Sequence, residues 1–215
     1  MNNLVYLEPN KIDAVPFTTS DIIAKYAKID YRSVQRIIET HLERLESFGI
    51  MRFEITLLRG RGRPKKKYKL NEQQATLLIT FLKNTDIVAD FKTELVRQFY
   101  LMREELFKRR INRQELKPIR RELTDVIQEK EPDNKWAYKH FTDLGYKSVM
   151  GKSARQIRQE RNALPKATAI DYMTSQEIQA VTKVDEQITV LIDLGLDYYQ
   201  IKDILEQKVR AKLSA

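Results

Sequence analysis

Cysteine is absent from this 215-residue chain. That excludes disulfides and thiolate metal sites, and it makes a reducing compartment comfortable. No apolar run reaches the roughly 18 residues needed to span a bilayer. Met1-Asn2-Asn3-Leu4 lacks the basic-then-apolar form of a secretory leader. A soluble, cytoplasmic protein with no membrane partner is expected. Histidine occurs twice, as His41 and His140. His41 falls on the inward face of a helix. His140 has only Asp143 near it at helical spacing. No His-x-x-x-His pair or carboxylate cluster completes a metal set. A phosphate loop, a dinucleotide glycine pattern and a nucleophile elbow are also missing. The expectation is a non-enzymatic protein with no metal and no cofactor.

What the chain has is positive charge, and it is uneven. The formal net charge is +9 and the pI is near 9.5, which favours a polyanionic partner. Residues 1–112 hold 21 Lys/Arg against 14 Asp/Glu, and the rest hold 18 against 16. The front part is therefore the better polyanion binder. Its densest stretch is Arg59-Gly60-Arg61-Gly62-Arg63-Pro64-Lys65-Lys66-Lys67-Tyr68-Lys69, with seven cations and no acid. Glycine and proline keep its first half out of a helix, and charge this dense cannot be buried. Such a segment suits phosphates and a narrow groove. Its Gly-Arg-Pro core resembles an AT-hook.

Hydrophobic spacing orders the rest of the front part. Leu4-Val5-Tyr6-Leu7 reads as a short edge strand ended by Pro9. Thr18, Thr19, Ser20 and Asp21 are N-cap candidates for a helix carrying Ile22, Ile23, Tyr26 and Ala27. Asp30 caps a second helix over roughly 31–48, with Val34, Ile37, Ile38, His41, Leu42 and Leu45 inward and Gly49 as its stop. A short helix, a turn and a longer helix make a helix-turn-helix. Tyr31, Arg32, Ser33, Gln35 and Arg36 face out at the start of the second helix, where such proteins meet base edges. Met51, Phe53, Ile55 and Leu57 then alternate as a strand, and Tyr68 and Leu70 mark its partner. The basic stretch becomes the tip of a hairpin, and the whole reads as a winged helix. Arg59, Arg61, Arg63, Lys65, Lys66 and Lys67 are the wing candidates for DNA. Thr19 and Ser20, at the start of the first helix, are candidates for the DNA backbone. Asn71 caps a helix over 72–83, and Asp86 opens a long one to about Arg110.

Several blocks resemble the phage regulatory protein Rha family. They are Phe17-Thr18-Thr19-Ser20, the helix from Val34 to Leu45, Phe48-Gly49 with Phe53, and Gly62-Arg63-Pro64. Further on come Leu70-Asn71-Glu72-Gln73-Gln74-Ala75-Thr76-Leu77-Leu78 and Val96-Arg97-Gln98-Phe99-Tyr100-Leu101-Met102-Arg103. The resemblance spans about 3–107. It implies a prophage-encoded regulator with a winged-helix DNA-binding region, acting in a bacterial host cell at the nucleoid.

Behind this lies a helical part that resembles, more loosely, the C-terminal regions of phage antirepressors. Helices are expected over 113–131, around Phe141 up to Gly151, after Ser153, and after the capping box Thr174-Ser175-Gln176-Glu177 up to Gly195, with a last one after Asp197. Arg155, Arg158 and Arg161 repeat at i+3 on one face. The fold expected is mainly α with a small β-hairpin. Its parts are a winged-helix DNA-binding domain over 1–85, a connecting or dimerisation helix over 86–112 and a helical domain over 113–215. The expected function is a sequence-specific double-stranded DNA-binding transcriptional regulator, acting as a homodimer. A second reading is a protein antirepressor that binds a phage repressor or a host protein. A third, an enzyme on nucleic acid, has no organised set of residues behind it.

Overall fold

The computed structural model describes residues 3–56 and 65–213. The chain divides into two compact units, residues 1–8 with 13–104 and residues 9–12 with 105–215. The described residues are mainly helical, with a three-stranded antiparallel sheet in the first unit.

In the first unit the order is β1 (Phe17–Thr19), α1 (Ser20–Tyr26), α2 (Tyr31–Thr40), α3 (Leu42–Glu46), β2 (Arg52–Thr56), β3 (Lys65–Asn71) and α4 (Glu72–Thr80). The first part of α5 (Asp86–Lys130) follows. Strand order is β1-β3-β2. Phe17 stands opposite Asn71, and Phe53 opposite Tyr68. The expected edge strand at 4–7 reduces to one bridge between Tyr6 and Phe17. The expected helix over 31–48 is broken at His41, whose φ of −113° leaves the helical range. There the imidazole stacks on Phe81 at 3.8 Å between ring centres. Val34, Ile38 and Leu45 are fully buried against Leu70, Leu78, Leu95 and Phe99. Each such side chain contributes about 1.5–3 kcal/mol of transfer free energy.

Asn71 fastens the end of the sheet to α4. Its side chain accepts from Gln74 N–H, while Gln74 Oε1 accepts from Asn71 N–H, a reciprocal cap. Asn71 Nδ2 also donates to the Phe48 carbonyl and Gln74 Nε2 to the Gly49 carbonyl. Thus one cap holds both α4 and the loop that leads into β2.

In the second unit, α5 continues unbroken to Lys130 with Pro118 inside it, where two helices meeting near residue 112 were expected. The inward stripe runs on as Leu106, Arg109, Asn112, Leu116, Leu123 and Ile127, all buried. Two of its members are polar and find partners. Arg109 Nε donates to Glu105, and Asn112 Nδ2 to the Ser175 carbonyl. After α5 come α6 (Ala137–Met150), α7 (Ala154–Glu160), a 3-10 turn (Ala169–Tyr172), α8 (Ser175–Asp193) and α9 (Tyr198–Leu213). Ser153 and Thr174 open α7 and α8 with capping boxes, and Gly151 closes α6 in the left-handed region at φ 68°. Trp136 lies outside α6 and is exposed.

A charged cluster crosses this unit. Arg120 Nε donates to Asp185 Oδ2 at 3.1 Å, and an Nη donates to the Tyr146 hydroxyl at 2.9 Å. Asp185 is fully buried. Burial pushes its carboxyl up, against the opposing pull of Arg120. Gly145 makes room for it, since a Cβ there would stand 2.6 Å from Asp185 Oδ1. Of the Arg155, Arg158 and Arg161 ladder, Arg161 is committed internally. It forks onto the Glu177 carboxylate and also donates to the Tyr172 carbonyl.

Candidate nucleic-acid interface

The α1–α2 turn sets the direction of α2. Lys28 takes a positive φ of 52°, and Ile29 N–H returns to the Ala24 carbonyl. Asp30 then caps α2 by accepting from Ser33 N–H at 3.2 Å. With Val34 and Ile38 facing the core, Arg32, Ser33 and Arg36 are exposed on the other side. Arg32 and Arg36 are four residues apart and therefore share a face. Neither makes an ion pair with another described residue.

Tyr31 and Gln35 behave differently. Both are half-buried. The Tyr31 hydroxyl donates to the Lys66 carbonyl, and Gln35 Nε2 donates to the same oxygen at 3.0 Å. Gln35 Nε2 also lies 3.3 Å from the Tyr31 oxygen. A single carbonyl on β3 thus receives two side chains from the first turn and a half of α2. The joint fixes the start of the helix to the arm of the hairpin.

The hairpin has two unlike faces, because side chains alternate along a strand. The register places Arg52, Glu54, Lys65, Lys67 and Lys69 on one face, and Phe53, Ile55, Lys66 and Tyr68 on the other. Lys69 is neutralised by acids of the protein itself: its Nζ lies 2.7 Å from Glu54 and 3.7 Å from Glu8. The Glu54 contact raises the Lys69 pKa, and the same contact lowers that of Glu54. Lys67 is held only loosely, 3.8 Å from Asp21. Lys65 Nζ sits 5.5 Å from the centre of the Tyr31 ring, and Lys66 Nζ 5.2 Å from that of Phe53. These three lysines lie within β3, on the arm and not at the tip. Arg59, Arg61 and Arg63 fall outside the described residues.

Thr19 and Ser20 lie at the start of α1. Both side chains are buried. Ser20 Oγ accepts the Tyr68 N–H at 3.1 Å, filling a gap in β3 backbone pairing. Thr19 holds the N-cap position without a side-chain bond.

Lys25 was missed by sequence reasoning. It lies on the last turn of α1 and, with Asp21, Tyr31, Lys65 and Lys67, lines a groove of about 570 Å³. The i, i+4 spacing of Asp21 and Lys25 was visible. Their meeting with a strand some 40 residues on was not. Among the described residues no group of three or more His, Asp or Glu side chains could hold a metal ion. None of the described helices is long and apolar enough to cross a membrane.

The class of protein is thus mainly helical, with a capped, partly basic helix tied to a basic hairpin on a small antiparallel sheet. Residues 18–104 match the family model described as phage regulatory protein Rha. No curated protein matches the chain.

Proposed function

We propose that this protein is a phage regulator that binds double-stranded DNA sequence-specifically through a winged helix-turn-helix. In this reading α2 enters the major groove, and the Arg-Gly-rich tip of the hairpin enters the adjacent minor groove. The observation that carries the reading is the shared Lys66 carbonyl: the exposed, cationic start of α2 and the basic hairpin arm are held side by side by Tyr31 and Gln35. The match to a family named for phage regulation supports the setting.

The roles divide by burial. Arg32, Ser33 and Arg36 are exposed and serve as readers of base edges, arginine pairing with guanine. Tyr31 and Gln35 serve as struts. Lys65, Lys66 and Lys67 neutralise backbone phosphates. Arg59, Arg61 and Arg63 are assigned to the minor groove on the strength of their sequence. Two copies of the chain would read paired half-sites, with residues beyond the winged helix serving assembly or a protein partner.

Selection of bound duplexes from a random pool tests this. The wild type should enrich a defined site. Arg32→Ala and Arg36→Ala should each lose about 1–3 kcal/mol for that site and relax its sequence at one position. A pool that stays random after repeated selection would remove the sequence-specific reading.

A further inference from the structure

Three lysines and one acid meet in the groove between α1 and β3. Lys25 comes from α1, and Lys65 and Lys67 come from β3. Tyr31, the first residue of α2, forms part of its wall and supports Lys65 against its ring. With Asp21 counted, the groove carries a surplus of two positive charges, which suits a singly charged phosphodiester.

Asp21 is the unexpected member. Its Oδ1 is buried and finds no hydrogen-bond donor among the described residues. Its Oδ2 lies 3.8 Å from Lys67 Nζ, both side chains being well exposed, Asp21 at 47% and Lys67 at 36%. A buried carboxylate oxygen without a donor costs stability, and so loose an exposed pair returns little of it. Its place in the first turn of α1 favours a carboxylate through the helix dipole, and the same place sets that charge beside Lys67 at the mouth of the groove.

We propose that the groove seats one backbone phosphate of the bound duplex, held by Lys25, Lys65 and Lys67. Asp21 acts as an internal counter-ion that occupies Lys67 in the free protein and gives it up on binding. The inference rests on the DNA-binding reading and adds to it a contact and a brake. Because Tyr31 begins α2, a phosphate here would fix the register of that helix on the duplex. The acid lowers affinity for any duplex, so a larger share of binding must come from base contacts.

Equilibrium binding to one duplex, measured over a series of salt concentrations, tests the assignment with Asp21→Asn and Lys25→Ala. Removing the acid should tighten binding about two- to five-fold at physiological salt, the size of one screened charge contact at this exposure. Lys25→Ala should weaken binding and flatten the log–log salt slope by about one. Thermal melts establish whether each variant is folded before its binding is compared. If wild-type protein binds normally while folded D21N is no tighter and K25A keeps the full slope, the seat is overturned alone. If wild-type protein binds no duplex, the underlying reading falls with it.

Discussion

Removing the joint at Lys66 should damage DNA binding more than it damages folding. The perturbation is the double variant Tyr31→Phe, Gln35→Ala. It deletes the hydroxyl and the amide that converge on the Lys66 carbonyl. Both side chains are half-buried, so water can take over part of what they supply. Each lost hydrogen bond should cost about 0.5–1 kcal/mol, and the pair about 1–2 kcal/mol. For a unit of this size that lowers the melting midpoint by roughly 4–10 °C. Binding loses something further. With the joint intact, the hairpin arm is ordered beside α2 before the duplex arrives. Without it, ordering must be supplied at the moment of binding, at about 1–2 kcal/mol for the freed backbone. That corresponds to about a 5- to 30-fold weaker complex. Fluorescence anisotropy with a labelled duplex, at a temperature where a melt shows the variant fully folded, separates the two effects. Arg32→Ala is the contrast: weaker binding with an unchanged melt. A folded double variant that binds as tightly as the wild type would refute the idea that this joint preorganises the interface.

Other perturbations have outcomes the structure specifies. Gly145→Ala places a Cβ 2.6 Å from the fixed, fully buried Asp185 Oδ1. Overpacking of about 1–3 kcal/mol outweighs a helix-propensity gain of about 1 kcal/mol, so the melting point should fall; a rise would contradict this packing. Asn71→Ala removes a reciprocal cap and the tie to Phe48, and should cost about 1–2 kcal/mol in urea unfolding with an unchanged m-value. Glu177 is raised by burial but lowered more by Arg161 and the Thr174 N–H, so its folded pKa lies below the ordinary 4.5. A depressed folded pKa means stability present above the unfolded value and lost as pH falls through the folded one. Urea midpoints measured downward from pH about 4.5 should therefore drop more steeply for the wild type than for Glu177→Gln. Equal slopes would count against the pair.

Capping was the most legible part of the fold. Asn71, Ser153 and Thr174 carry their signal within four residues, and each cap forms as spaced. Gly151 and Gly195 likewise stop their helices at positive φ. Features that depend on distant partners were hidden. Thr18 and Thr19 read only as caps, and not as strand, because their partner strand lies some 50 residues away. Arg109 and Asn112 broke the apolar stripe of α5, since polarity in the sequence does not reveal a buried partner. His41 ended α2 through a ring contact with Phe81 that no periodicity encodes. In the candidate interface, spacing correctly put Arg32, Ser33 and Arg36 on the exposed face of α2. It also put Gln35 there, because the hairpin arm that claims Gln35 is distant in sequence.

The salt dependence of duplex binding by the full chain tests the central claim most directly. If the exposed α2 cations and the hairpin lysines meet phosphates, log K should fall linearly with log salt between about 50 and 200 mM, with a slope of about −0.9 per phosphate neutralised. Lys65→Ala with Lys67→Ala, which empties the one phosphate seat the two share, should make that slope shallower by about one. A wild-type slope near zero, or a double variant that keeps the full slope, would contradict the account.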